Sequence, residues 1–127
     1  MDKVVHFEIP AEDVARAKEF YRTIFEWDLQ DYDMEGGSYT IIQTTPIDER
    51  QLPKEPGAIN GGMMRRTPTT PSPVINIQVD SIDEALKKVE AGGGSTVTPR
   101  TEIPNMGAFA YFKDSEGNTL GLWETRI

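Results

Sequence analysis

At 127 residues, with 37% hydrophobic and 27% charged positions, the chain has the composition of one soluble globular domain able to bury a core, which excludes a disordered or fibrous polypeptide. A formal net charge of −8 sets its field against nucleic acid and anionic membrane, and the Arg65-Arg66 pair falls far short of a phosphate-binding track. With no cysteine there are no disulfides, thiolate metal sites or thiol nucleophiles, so any metal must be held by His, Asp, Glu or amide groups.

Residues Val4 to Ile9 alternate, with Val5, Phe7 and Ile9 on one face and Val4, His6 and Glu8 on the other, the pattern of a half-buried strand. His6 is the single histidine of the chain. PAEDVARAKEFYRTIFEW predicts a helix capped by Asp13, with Val14, Ala17, Tyr21, Ile24 and Phe25 as its apolar face. WDLQDYDM and SYTIIQTT read as strands joined by a hairpin turn at Glu35-Gly36-Gly37. A proline-rich, charged loop from Pro46 to Pro56 leads to AINGGMMRR, a fourth strand weakened or bent by its glycine pair. TPTTPSP, Thr67 to Pro73, places three prolines in seven residues and reads as a connector.

The order then begins again. VINIQVD alternates Ile75, Ile77 and Val79 against Val74, Asn76 and Gln78. SIDEALKKVEAGGG is a short amphipathic helix, with Ser81 and Glu84 in capping-box spacing and a glycine run to end it. Strands follow at STVTPR, AFAYF and TLGLWE, the last two joined across Asp114 to Asn118. A shift of sixty-eight positions lays Phe7 and Ile9 on Ile75 and Ile77, Asp13 on Ser81, Ala17 on Ala85, His6 on Val74 and Glu8 on Asn76. The chain therefore reads as an α+β protein made of two βαβββ units. It is one domain over 1–127, built of module 1 (1–66), the connector (67–73) and module 2 (74–127).

Three stretches carry a resemblance to a known family. HFEIPAEDVARAKEFYRTIF, VINIQVDSIDEALKKVEAGGG and AYFKDSEGNTLGLWE resemble, in order and separation, the opening strand and helix, second module and C-terminal ending of the vicinal-oxygen-chelate superfamily. That superfamily includes glyoxalase I, bleomycin-resistance proteins, extradiol dioxygenases and methylmalonyl-CoA epimerase. The resemblance implies two modules with curved mixed sheets that enclose a cavity, commonly in a homodimer. Glutamate stands at position 26, where the family often has glycine, which predicts a different exit from the first helix.

In metal-using members the resemblance implies ligands from the first and last strands of each module. The matching positions here are His6, Gly61 or Gly62, Val74 and Gly121, so one of four carries a donor side chain. Glu124 points away from Gly121 and Trp123 by strand alternation. The expected cavity residues are His6, Glu8, Gly61, Gly62, Val74, Asn76, Gly121 and Trp123. The faces of Tyr39, Phe109, Tyr111, Met63 and Met64 are not determined by pattern alone, and Arg65 and Arg66 end a strand.

Three functions follow as alternatives. In the first, a metal-free cavity binds a small molecule, as in the bleomycin-resistance branch. In the second, a lyase, isomerase or dioxygenase uses His6 as a ligand to Ni, Zn, Mn or Fe. In the third, His6 and Glu8 act as a metal-free acid–base pair. The expectation is no bound cofactor, a small-molecule ligand, a homodimer, and no nucleic-acid or membrane partner. No apolar run spans a bilayer and the opening MDKVVHFEIP lacks a signal-peptide pattern, so the expected location is cytoplasmic.

Overall fold

The computed structural model describes residues 1–34 and 37–125. Its elements are β1 (Lys3–Ala11), α1 (Val14–Phe25), β2 (Asp28–Met34), β3 (Gly37–Gln43), β4 (Asn60–Arg65), β5 (Val74–Gln78), α2 (Ile82–Ala91), β6 (Ser95–Ile103), β7 (Gly107–Lys113) and β8 (Thr119–Thr125). They fall into two compact units: His6–Pro73 is the first, and Val74 onward, together with Met1–Val5, is the second.

Each unit is an open mixed sheet with one helix. In the first, the strand order is β2-β3-β4-β1, with β1 and β4 parallel and the remaining pairs antiparallel. In the second, the order is β6-β7-β8-β5, with β5 and β8 parallel and the rest antiparallel. The repeat read from sequence thus returns as one topology used twice. The chain between the first and fourth strands of each unit supplies the long crossover that a parallel pair needs. The hairpin turn expected at Glu35 and Gly36 lies outside the described residues, and the strands beside it pair from Asp28↔Gln43 to Met34↔Gly37.

One face of each sheet packs on its helix. In the first unit Ala11, Leu29, Ile42 and Met63 are buried, with Phe7, Ile9, Val14, Ala17, Tyr21 and Trp27 against them. In the second, Val79, Ile82, Leu86, Ala108, Ala110, Phe112 and Leu122 form the core, joined by Ile77, Ala85, Val89 and Leu120. Two expectations are corrected here. Ile24 and Phe25, predicted on the buried face of α1, are more than half exposed. The helix ends at Phe25, and Trp27 folds back to stack on Tyr21 at 5.0 Å and against Phe7 at 5.9 Å, with the exposed Phe25 ring at the outer edge of this cluster, 5.7 Å from Trp27. Ile75 at the start of β5 is also exposed, while Val74 beside it is buried.

The helix ends explain themselves locally. Asp13 accepts from the N–H of Arg16 and Ser81 from that of Glu84, as the capping signals predicted. At the end of α2 the glycine run forms a Schellman closure: the N–H of Gly94 reaches the carbonyl of Val89 at 2.9 Å, with Gly93 at φ 101° between. Glu26 corrects the remaining expectation. It adopts the left-handed conformation itself, at φ 59° and ψ 29°, and its N–H returns to the carbonyl of Arg22, so the helix leaves by the route a glycine would use.

Candidate functional site

The helix-free face of the first unit is set by strand alternation. Because Phe7 and Ile9 go to the helix side, His6 and Glu8 go to the other. The parallel register of β1 and β4 sets Glu8 opposite Gly62. Tyr39 reaches this point from β3, and its hydroxyl donates to Oε2 of Glu8 at 3.2 Å while lying 3.4 Å from Nε2 of His6. With the hydroxyl proton directed at Glu8, Nε2 of His6 is the donor to the phenol oxygen. That tautomer leaves the ring's lone pair on Nδ1.

Gly62 is what makes the contact possible. A Cβ built there would fall 1.7 Å from the Tyr39 hydroxyl, so the phenol occupies the space of the missing side chain. Gly61, grouped with Gly62 by the sequence, is on the opposite face: its Cβ would strike the carbonyl oxygen and ring of Phe7, on the core side. Met63 is fully buried in that core. Arg66 is engaged by the carbonyl of Pro71 at 2.6 Å and by Glu12 at 3.9 Å.

Burial drives the His6 pKa below its ordinary value of 6.5, and the neighbouring Glu8 offsets this only partly. His6 is therefore neutral at pH 7 and can act as a base. The sign for stability follows. As the pH falls below 6.5 the unfolded chain takes up a proton before the folded one does, so His6 costs the fold stability as the pH drops through this window. Two results are expected. The NMR titration of the single imidazole has its midpoint below 6.5, and urea unfolding of His6→Gln is flatter than wild type just below that pH. A midpoint at or above 6.5 contradicts the burial argument.

The second unit presents a related face. Register places Asn76, Gly121 and Tyr111 in one row across β5, β8 and β7, and Gln78, Trp123 and Phe109 in the next. The interleaved residues Ala108, Ala110, Phe112 and Leu122 belong to the core, so these rows face away from it. Here too a glycine is covered: a Cβ on Gly121 would meet Oδ1 of Asn76 at 1.6 Å and the ring of Tyr111 at 3.5 Å. Val74 is buried. The indole N–H of Trp123 donates to Thr125 at 3.1 Å. Glu124 points the other way, as alternation required, accepting from the N–H of Ile82 and pairing with Arg100.

The positions implied by the resemblance supply few donors for a divalent ion. Among the described residues no group of three or more His, Asp or Glu is placed to hold one. At the four positions implied by the resemblance, His6 is the one with a donor side chain. The spaces beside Gly62 and Gly121 are taken by a phenol and an amide. An imidazole with one carboxylate is too few donors to offset dehydration of the ion. Tyr39, Phe109 and Tyr111 are the residues whose place on these faces pattern could not assign, because it depends on how β3 and β7 register with their neighbours.

Comparison with known proteins agrees with this architecture. Residues 3–45 match the family described as Bleomycin resistance protein-like N-terminal. CFP32 of Mycobacterium tuberculosis, which bears a glyoxylase name, is 30% identical over 122 residues, and the matched part is 92% of this chain. The chain spans 43% of the length of that relative. A glyoxylase-like domain-containing protein of Didymella fabae is 31% identical over 120 residues, which make up 91% of this chain and 88% of its own. Among solved structures, a Streptomyces coelicolor methylmalonyl-CoA epimerase in complex with 2-nitronate-propionyl-CoA matches with a TM-score of 0.68 at 12% identity, covering 98% of both chains. At that identity the likeness is one of fold. No described helix is long and apolar enough to cross a membrane.

Proposed function

The chain belongs to the vicinal-oxygen-chelate superfamily, with glyoxylase-like relatives, and on that premise we propose that it binds a small organic molecule on the His6–Glu8–Tyr39 face without a divalent metal. The observation that carries this reading is the Tyr39 hydroxyl lying over Gly62 and tied to both His6 and Glu8. It fills the space a carboxylate ligand would need and leaves a polar, partly apolar surface suited to an organic ligand. The epimerase of the same fold, solved with an acyl-CoA analogue, is a precedent for small-molecule binding.

Metal analysis of the purified protein, paired with a thermal-shift screen of small metabolites and cationic drugs, tests it. The expected result is less than stoichiometric Ni, Zn, Mn or Fe, with at least one compound raising Tm in a concentration-dependent way. Stoichiometric metal that disappears in His6→Ala overturns it.

A second reading is favoured by the neutral His6 and its hydrogen-bond chain. Nδ1 would take a proton from bound substrate, and Nε2–H, Tyr39 and Glu8 would hold the ring in place and stabilise the imidazolium formed. Product formation with a screened ligand, lost in His6→Gln, separates this acid–base enzyme from a plain binder.

A further inference from the structure

The second unit contains a polar group that its own fold leaves unused. Asn76 is more than nine-tenths buried as a residue, at 6% exposure, but its side-chain amide is not among the sealed, unpaired polar atoms of the described residues and keeps its contact with solvent. An amide that touches solvent at the edge of a packed face can exchange that water for a ligand's donor and acceptor. Its amide lies over Gly121 beside the ring of Tyr111. The neighbouring row brings Trp123 and Phe109 onto the same face, with Phe109 and Tyr111 edge to face at 5.8 Å. Trp123 has already committed its N–H to Thr125, so it offers this face an apolar ring. The three aromatics are only partly buried and stand outside the helix-side core.

We propose that Asn76 is an anchoring point for an uncharged planar ligand group that carries a hydrogen-bond donor and an acceptor side by side, a carboxamide or lactam joined to an aromatic ring. The inference rests on the small-molecule reading and specifies the ligand's chemistry. An asparagine amide offers one acceptor and a donor pair, and it meets a second amide reciprocally. A carboxylate brings two acceptors and no donor, and it must shed more hydration than an amide to lie against the aromatic rings. The flat aromatic surroundings favour a ring laid against them.

Titration of the ¹⁵N-labelled full chain with benzamide, benzoate and toluene is the test, following the side-chain N–H pair of Asn76, which Asn76→Leu identifies by its loss. Benzamide is expected to move that pair saturably. Benzoate is expected to bind at least roughly tenfold more weakly, and Asn76→Leu to weaken benzamide by a similar factor without weakening toluene. Equal benzamide binding by wild type and Asn76→Leu, or no saturable movement of the pair, overturns the assignment. A compound from the thermal screen that stabilises the chain but leaves the Asn76 pair unmoved also overturns it, while the small-molecule reading stands. If neither that screen nor benzamide yields a ligand, both fall.

Discussion

Alanine at Gly61 is expected to cost about 3 kcal/mol of stability, roughly 10 °C in Tm for a chain of this size, whereas alanine at Gly62 is expected to cost about 1 kcal/mol. The two glycines are adjacent and both sit in β4, so propensity alone predicts the same penalty for each. Their surroundings differ. A Cβ on Gly61 would lie 2.5 Å from the carbonyl oxygen of Phe7 and 2.6 Å from its ring. Phe7 is the residue paired with Gly61 across the parallel β1–β4 ladder, so backbone would have to give way. A Cβ on Gly62 meets the far end of Tyr39, which can swing aside and lose two long hydrogen bonds. The functional consequence is reversed, because Gly62→Ala removes the phenol from between His6 and Glu8. The lone histidine of Gly62→Ala should therefore titrate as it does in Tyr39→Phe. Urea unfolding and an NMR pH titration check both halves. Equal stability losses for the two variants, or a His6 titration in Gly62→Ala that differs from that in Tyr39→Phe, contradict the assigned faces.

Loss of Glu124 is the second large effect, and it separates a structural carboxylate from a functional one. Its side chain accepts from the first helical N–H of α2, at Ile82, over 2.8 Å, and from Arg100 at 2.9 Å. An unpaired N–H at the buried start of a helix is costly, and here the carboxylate joins β8 to α2. Glu124→Ala should cost about 2 kcal/mol, read from the urea midpoint. Arg100, then the Ile82 N–H, holds the Glu124 pKa below its ordinary value of 4.5. This contribution is therefore complete above pH 4.5 and is lost as the pH falls through the folded-state value, where the native carboxylate takes up its proton. Glu124→Gln should flatten that acid limb. An unchanged limb would mean that the carboxylate does not hold the helix.

The two predictions show how unevenly the molecule could be read from its residues. The Ser81–Glu84 capping signal, the glycine closure after α2 and the opposite facing of Glu124 were legible, because each depends on residues a few positions apart in the chain. His6 and Glu8 were legible as a pair for the same reason, and the sixty-eight-residue repeat aligned them with Val74 and Asn76. Gly61 and Gly62 were not separated, since a glycine has no side chain to declare its face. The exit at Glu26 was misjudged because a local conformational preference of modest size was treated as a prohibition.

The sequence by itself determined two βαβββ units and the strand face on which His6 and Glu8 stand, since alternation and helical periodicity are properties of short segments. Tertiary structure decided that Tyr39 comes over Gly62 and that Asn76 comes over Gly121 with three aromatics around it. Those meetings depend on registers between strands far apart in sequence, and a shift of one residue would turn each side chain to the opposite face.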